Sequence, residues 1–304
     1  MFADVDFLRT QIHKYKLDRL EENIIKLAEP SIHIHRELVS EDKLSIGQSK
    51  LGGRPDLPPD YTWPHRGDKP LTFMGQFRFS DFATYDQTGL LPQLGILSYF
   101  YDVDSTPWGF QNERDGWHIL FMEDENQELQ RIDHPIYQGE WIEIKPLPAH
   151  QLSFSSQLSL PRVFFNDRME YDLDFIKVNT DWSNNDFSEH RAYIKMCDDN
   201  YPSPRHHFLG QPVCWQDKVE RETVIYSENI QTSQHPETGL YRYLPEQLEH
   251  IATEMDKWLF LFQIDEDGSM KTVLEAGGTI YICIPKASLA TRRFEDCWTI
   301  LQCT

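Results

Sequence analysis

The sequence predicts an α+β protein with mixed or antiparallel sheets, an N-terminal helix and an internal duplication about a pseudo-twofold axis. Three observations lead to this prediction. Apolar side chains near the start recur at helical spacing, several strand-like segments follow across short turns, and one spaced pattern occurs twice. The chain has 304 residues. A chain of that size buries about three quarters of its unfolded surface, so it needs neither disulfides nor a structural metal to fold.

The first element is a predicted helix over residues 4–29. Its apolar residues follow the spacing of one helical face. Asp4 or Asp6 can cap its start, and Pro30 is expected to end it. The alternating letters SIHIHREL then predict a strand from Ile32 to about Leu38.

The next segment, Ser49–His65, reads SKLGGRPDLPPDYTWPH and contains four prolines and two adjacent glycines. Each proline fixes its φ angle and lacks a backbone donor, which excludes a helix and a central strand. We therefore expect a loop along the protein surface, held there by Leu57, Tyr61 and Trp63.

Most of the remaining chain alternates between strand and helix patterns. Strands are predicted over Pro70–Phe79, Leu94–Val103, Gly116–Glu123, Gly139–Pro148, Trp258–Gly268 and Gly277–Pro285. Helices are predicted near 186–196 and over 245–257, and Ser288–Cys303 starts as a short helix and can finish as a strand. The segments SLPRVFFND and DLDFIKV fit either a strand or a helix.

The duplication is predicted from three short motifs that recur in the same order. The first set is Gly53–Pro55, Phe73–Gln76 and Gly95–Tyr99, and the second is Gly210–Pro212, Phe260–Gln263 and Gly278–Ile282. We expect residues 1–150 to hold the helix and the first repeat, and residues 151–304 to hold the second, within one compact unit. Gln76 and Gln263 then occupy equivalent places.

The charge restricts the classes of partner. Forty-nine acidic residues against 29 basic ones give a formal net charge of −20. Such a surface repels nucleic acid, which we exclude as a partner. The N-terminus lacks the pattern of a signal peptide, and no apolar run approaches the roughly 18 residues of a membrane helix. We expect a cytoplasmic protein without membrane contact, whose five cysteines are reduced thiols.

The histidines and cysteines suggest a zinc site or a nucleophilic thiol, but we predict neither. His206 and His207 precede Cys214, but adjacent residues on a strand point to opposite faces. His33 and His35 share a strand face, yet no matching second pair of ligands follows the spacing of zinc sites. Cys214 has apolar neighbours that indicate burial, whereas a catalytic thiol must be accessible. We predict no metal, no cofactor and no assignable catalytic residue.

Two glutamines within apolar strands are the sharper candidates, because a buried amide without partners costs a few kcal/mol. One interpretation is that Gln76 and Gln263 each bond the backbone of a nearby loop. The other is that both amides line a central ligand-binding cleft. The candidate ligand-binding residues are Arg54, Trp63, Gln76, Trp117, His207 and Gln263.

Six blocks in fixed order carry a resemblance to a known family. They are LGGRPDLPPDYTWP, PLTFMGQFRFSDF, LLPQLGILSYFYD, HHFLGQPVCWQ, WLFLFQIDEDG and SLATRRFEDCWTILQC. Together they resemble the bacterial YwqG family from about Ser49 to Thr304. The chain departs from the family at Leu209–Pro212, where a Leu-Gly-Tyr-Pro type is usual, and at Glu275–Gly278, where a GDAG-like block is usual.

The resemblance implies a cytoplasmic protein of duplicated α and β architecture and of unknown function, and it brings no catalytic residues. Some relatives lie near toxin genes, which suggests an immunity role. We therefore expect a binding or interaction protein, with another protein as its partner and toxin immunity as one form of that role. The alternatives are a hydrolase-type enzyme with carboxylates assembled in a central cleft, and a structural scaffold. The sequence does not determine the oligomeric state.

Overall fold

The structure is a computed structural model that describes residues 1–162, 188–201, 203–234, 241–266, 268 and 277–303. The segment DLDFIKV and most of SLPRVFFND, for which the sequence left strand and helix open, lie outside the described residues. None of the helices in these ranges has the length and apolar character that crossing a membrane requires.

The described helices are α1 Val5–Lys14, α2 Glu21–Leu27, α3 Ser188–Asn200, α4 Val219–Ser227, α5 Pro245–Met255 and α6 Lys286–Ala290. The strands of the first half are β1 Glu29–Leu38, β2 Lys50–Leu51, β3 Asp56–Leu57, β4 His65–Arg66, β5 Lys69–Pro70, β6 Thr72–Arg78, β7 Ile96–Tyr101, β8 Trp117–Met122, β9 Gln130–Arg131, β10 Tyr137–Gln138 and β11 Glu143–Ile144. Those of the second half are β12 His150–Ser159, β13 His207–Phe208, β14 Ser233–Gln234, β15 Tyr241–Arg242, β16 Trp258–Asp265, β17 Thr279–Pro285 and β18 Trp298–Gln302.

Ten of these strands form one antiparallel sheet in the order β18-β17-β16-β13-β1-β12-β2-β6-β7-β8. The long strands β1 and β12 pair at its centre along their whole length. Outward from this pair, each side continues with a two-residue strand and then three longer strands. The α+β class, the antiparallel sheet and the N-terminal helix are thereby confirmed. The internal duplication stays a prediction.

The sheet folds over on itself, so that its two sides share one core. Five strand spacings of about 4.8 Å separate β6 from β16, which is roughly 24 Å in a flat sheet. Yet the ring of Phe77 on β6 lies 5.2 Å from that of Phe262 on β16 and 5.0 Å from that of Phe208 on β13. Tyr99 on β7 also contacts Phe262, at 5.9 Å between ring centroids. The inner faces of both sides therefore bury each other.

The outer face of each side has its own cover. On the first side, Leu57 in the proline-rich segment packs with Phe73 and Phe100, and Tyr61 and Trp63 pack against this cluster. The prediction that these three residues hold the segment is confirmed, but the exclusion of a central strand is wrong at its start. Lys50–Leu51, which precede the prolines, form β2 between β12 and β6. On the second side, α4 is the cover, and its Val219 packs with residues of β16, β17 and β18.

The N-terminal helical segment is shorter than predicted. Residues 4–29 form α1, a single 3₁₀ turn at Asp18–Leu20, and α2, with Lys16 at a φ of 59° between the helices. This bend keeps Leu17 fully buried with the apolar residues of both helices. Pro30 does not end the helix, because it already lies within β1.

The start of α1 and its packing follow the sequence pattern. The Asp4 carboxylate caps the helix by accepting a hydrogen bond from Phe7 N–H at 2.7 Å. Ile12 faces α3 and is buried in one cluster with Tyr193 and Met196. These helices cover the end of the central strand pair, since Phe2 N–H donates to the carbonyl of Leu158 on β12.

Most predicted strands are present, but two long elements, β12 and α4, were not foreseen, and neither were the two-residue sheet strands β2 and β13. β6, β7, β8, β16 and β17 each lie within a predicted strand. β12 was missed because its apolar alternation stops after Leu152 and Phe154 and serines follow, although neighbours on both sides hydrogen-bond it. The helix α4 was also missed. The strand predicted over Gly139–Pro148 is wrong beyond the two residues of β11.

Phe77→Ala is expected to lower the free energy of unfolding by about 3–5 kcal/mol, because a fully buried ring would leave a cavity between the two sides of the sheet. Leu94→Ala is the control, since that side chain is 58% exposed. Urea unfolding followed by circular dichroism measures both. Equal midpoints for the two variants would contradict the shared core.

Candidate functional site

Gln76 is fully buried on β6, and its amide is used by the loop that covers the strand. The Oε1 atom accepts Asp56 N–H at 2.9 Å. The Nε2 group donates to the Gln48 carbonyl at 2.8 Å and to Asp56 Oδ2 at 3.0 Å. The interpretation in which this amide bonds loop backbone is confirmed.

The carboxylate of Asp56 is the centre of a buried ionic cluster. Lys50 Nζ and Arg131 Nε each donate to it at 2.9 Å, as does the backbone N–H of Gly47. Burial alone would raise the pKa of Asp56, but the hydrogen bond from Arg131 and the charge of Lys50 outweigh it and hold that pKa below its ordinary value. Burial lowers the pKa of Lys50 to about 8, although Asp56 opposes the shift. Both groups are therefore mainly charged at neutral pH.

Arg54 lies at the edge of this cluster. Its backbone N–H donates to Glu41 Oε1 at 2.7 Å, and its Nε donates to Glu41 Oε2 at 3.2 Å. Its Nη1 group reaches Asp133 at 2.7 Å. With a side chain that is 39% exposed and two carboxylate partners, Arg54 joins the proline-rich segment to the loops around it.

Gln263 on β16 is fully buried as well. Its Oε1 accepts Val213 N–H at 2.9 Å, and its Nε2 donates to the Arg205 carbonyl at 2.7 Å. It therefore bonds the backbone on both sides of β13, which confirms the same interpretation at this position.

The contacts of the two glutamines correspond in detail. Gln76 lies opposite Lys50, the first residue of β2, and Gln263 lies opposite His207, the first residue of β13. In both cases Nε2 donates to the carbonyl two residues before that first residue, and Oε1 accepts the N–H six residues after it. The residue types differ, because β2 contributes the charge of Lys50 and β13 an imidazole.

His207 is fully buried, and both ring nitrogens face loop carbonyls. Nε2 lies 3.1 Å from the Gln211 carbonyl oxygen, and Nδ1 lies 3.3 Å from that of Arg205. Burial lowers the pKa of His207 to about 4. At neutral pH the ring is therefore uncharged, and it can donate one of these two hydrogen bonds.

The other histidines and the thiol do not assemble with it into a ligand set. His206 Nδ1 accepts the N–H of Asp265 at 3.0 Å, whereas the rings of His33 and His35 lie together on β1, 4.5 Å apart. Cys214 is buried, and burial raises the pKa of its thiol well above the ordinary value. Across the described ranges, no three His, Cys, Asp or Glu side chains group as metal ligands do.

The two candidate tryptophans have separate surroundings. Trp63 lies on the outer face, donates Nε1–H to the Leu71 carbonyl at 2.9 Å and packs against Phe100. Trp117 belongs to the inner core and lies 5.3 Å from the ring of Trp298 on β18. The structure thus brings Arg54 near the cluster of Gln76 and pairs His207 with Gln263, while each tryptophan lies elsewhere. Ligand binding by these six residues stays a prediction.

The feature that sequence reasoning missed is the turn between β10 and β11, which we call the Trp141 turn (Gly139–Ile142). Trp141 is 74% exposed and nearby Ile136 is 73% exposed, the highest values among the large apolar side chains of the described residues. The sequence pattern placed Trp141 inside a strand. That prediction is wrong because the backbone donors of the turn bond a carboxylate from another part of the chain.

That carboxylate belongs to Asp104, which is buried beneath the turn. It accepts the N–H groups of Glu140, Trp141 and Ile142 at 2.9, 2.8 and 3.1 Å. Lys69 Nζ donates to it at 2.7 Å. Burial opposes its ionisation, but the bonds from Lys69 and the turn hold the pKa of Asp104 well below its ordinary value. The turn is therefore rigidly held while its indole faces solvent.

Two further features are a surface depression and a buried, neutral carboxyl group. An open depression of about 500 Å³ lies between the end of α4 and α5, with Ile230, Gln247 and His250 in its lining. Glu222 on α4 is buried and accepts a hydrogen bond from Gln302 Nε2 at 2.7 Å. Burial raises the pKa of Glu222 to about 8, so this carboxyl is mainly neutral at pH 7.

Residues 49–303 match the model of a protein family described as "Domain of unknown function (DUF1963)". No curated protein matches the chain.

Gln76→Ala and Gln263→Ala are each expected to lower the free energy of unfolding by about 2–4 kcal/mol, because each leaves buried backbone groups without a partner. Gln157→Ala is the control, since that half-buried amide donates only to the Ser155 hydroxyl in the described contacts. Thermal unfolding of the three variants measures these differences in stability. A glutamine variant as stable as the control would contradict the anchoring role.

Glu222→Gln is expected to remove a pH dependence of stability. The pKa of Glu222 is about 8 in the folded chain against a reference value of 4.5, so the folded state binds the proton more tightly. This contribution to stability is complete below pH 4.5 and is lost as pH rises through 8. Urea unfolding at pH 5, 6.5 and 8 should show that the free energy of unfolding of the native chain falls by a few kcal/mol over this range. That of Glu222→Gln should not fall in this way. A Glu143→Gln control, at a half-exposed carboxylate, should behave as the native chain does.

Proposed function

This chain belongs to the DUF1963 family, a domain family of unknown function, and we propose from its geometry that it acts by binding another protein. The observation that carries the proposal is the Trp141 turn. A tryptophan that is 74% exposed leaves most of its apolar surface in water. Burying that surface in a partner is worth about 3–5 kcal/mol.

The contacts that hold the turn favour a role for Trp141 in recognising a partner over exposure of its side chain by chance. Exposed aromatic side chains are the usual centres of binding energy in protein interfaces. The three backbone bonds to Asp104 fix the turn before any partner arrives. A partner therefore has less conformational entropy to remove on binding. Gly139 belongs to this design, because a Cβ atom at that position would overlap the Asp104 carboxylate.

We also propose the finer assignments that the sequence suggested. The six blocks between Leu51 and Cys303 support a YwqG-like member of the family, and the resemblance is the support for toxin immunity as the binding role. The net charge of −20 supports a protein that does not bind nucleic acid. A cytoplasmic location and the absence of membrane binding belong to the same proposal.

The internal duplication is part of the proposal too, with one copy in residues 1–150 and the other in 151–304. Two observations support it. The strand order is the same on both sides of the central pair β1 and β12. The amides of Gln76 and Gln263 bond loop backbone at the same offsets.

The hydrolase-type alternative has no specific observation in its favour among the described residues. The buried carboxylate of Asp56 is bound by Lys50 and Arg131, and the neutral carboxyl of Glu222 is bound by Gln302. Neither lines the depression near α5. The enzyme alternative therefore stays a prediction.

Trp141→Ala is expected to remove partner binding and to leave folding intact. The native chain, Trp141→Ala and Leu94→Ala serve as baits in lysate of cells that produce the protein, and quantitative mass spectrometry compares what each retains. We expect at least one protein to be retained by the native chain and by Leu94→Ala, and at least tenfold less by Trp141→Ala. Thermal unfolding of Trp141→Ala should match that of the native chain. Equal retention of every protein by all three baits would contradict the proposal.

A further inference from the structure

We propose that the Trp141 turn recognises a basic protein surface, one on which lysine or arginine side chains surround an apolar patch that packs against the indole. This inference rests on the binding function proposed above and adds the chemistry of the partner. It follows from the charges that the structure places around the turn.

The acidic groups outnumber the basic ones there. Asp102 and Asp104 are buried next to the turn, and their bound cations are Arg66 and Lys69. Arg66 also pairs with the exposed Asp115, at 3.1 Å. Two cations are thus shared among three aspartates.

Two glutamates add to this excess. Glu140 is exposed within the turn itself, and its charge acts on Lys69. Glu113 acts on Arg66 in the same way. These five acidic side chains and two basic ones, which we call the acidic rim, carry a net negative charge next to the turn. Of the five, Glu140 and Asp115 are exposed.

An acidic rim next to an exposed aromatic side chain selects its partner by charge. A basic surface is attracted during approach, and each acidic group that meets it adds specificity more than affinity. The hydrophobic contribution to binding comes from burial of the indole and of Ile136, which is equally exposed. The partner must therefore offer an apolar patch within a basic surface.

A second copy of the chain does not fit this surface. It would bring the same acidic rim against its own, and the whole chain carries a charge of −20. Like charges set opposite each other cost several kcal/mol at an interface. The observations thus favour a different, basic protein over self-association.

The direct test uses a short synthetic amphipathic peptide of lysine and leucine, with a glutamate and leucine peptide of the same pattern as its control. Fluorescence anisotropy of the labelled peptides measures binding to the full chain. We expect the basic peptide to bind and the acidic one not to bind. Trp141→Ala should weaken binding of the basic peptide at least tenfold.

The charge of the rim is tested separately. Glu140→Lys and Asp115→Lys should each weaken binding of the basic peptide about tenfold at low salt. Glu249→Lys, an exposed acid on α5, is the matched control and should have little effect. Gly139→Ala should weaken binding as Trp141→Ala does, because it displaces the Asp104 carboxylate that holds the turn.

Four outcomes overturn the inference. They are no binding of the basic peptide, equal binding of the acidic peptide, binding that is unchanged by Trp141→Ala, and self-association of the native chain that Trp141→Ala abolishes. Failure of the inference is distinguishable from failure of the binding function. Consider a natural partner that binds through Trp141 and yet binds Glu140→Lys and Asp115→Lys as tightly as it binds the native chain. In that case the proposed binding function stands, and only the basic character of the partner is refuted.

Discussion

The fold depends on two buried amides that supply the hydrogen bonds of irregular backbone. The sheet folds over on itself, which leaves the outer face of each side to be covered by non-strand chain. Such chain has N–H and C=O groups that no strand ladder pairs, and burying them unpaired is costly. Gln76 and Gln263 satisfy these groups on the first and the second side.

The polar residues that neighbour the two glutamines differ between the two sides of the sheet. Beside Gln76, Lys50 and Asp56 form a buried ion pair that Arg131 extends to the neighbouring loops. A buried pair of this kind contributes geometry more than net stability, because removing water from both charges offsets most of their attraction. Beside Gln263, the neutral ring of His207 bonds loop carbonyls without any ion pair.

The Trp141 turn is also held by a buried polar side chain that bonds irregular backbone, but the result is different. A buried carboxylate, Asp104, takes the place of a strand neighbour and accepts three successive N–H groups. The amides of Gln76 and Gln263 hold chain against the sheet. Asp104 instead holds an apolar side chain out in solvent. Among the aromatic side chains of the described residues Trp141 is the most exposed, ahead of Phe110 at 45%, and this gives its exposure a functional meaning.

Local patterns were enough to identify several elements and the two anchors. The helix cap at Asp4, the strands around Gln76 and Gln263 and the covering role of Leu57 all follow from periodicity, capping and the restriction that proline imposes, which act over a few residues. The glutamines were conspicuous for a local reason as well, since a polar amide in an apolar strand requires a partner.

The composition and periodicity of the chain by themselves determined the α+β class, the main strands and the acidic character. The tertiary structure alone decided where Trp141 points, because the carboxylate that shapes its turn lies 37 residues away along the chain. It also decided that β12 is a central strand, since ten residues of β1 pair with it across the sheet. Contacts between distant residues carry no periodic signal in the sequence, and they form only once the chain has folded.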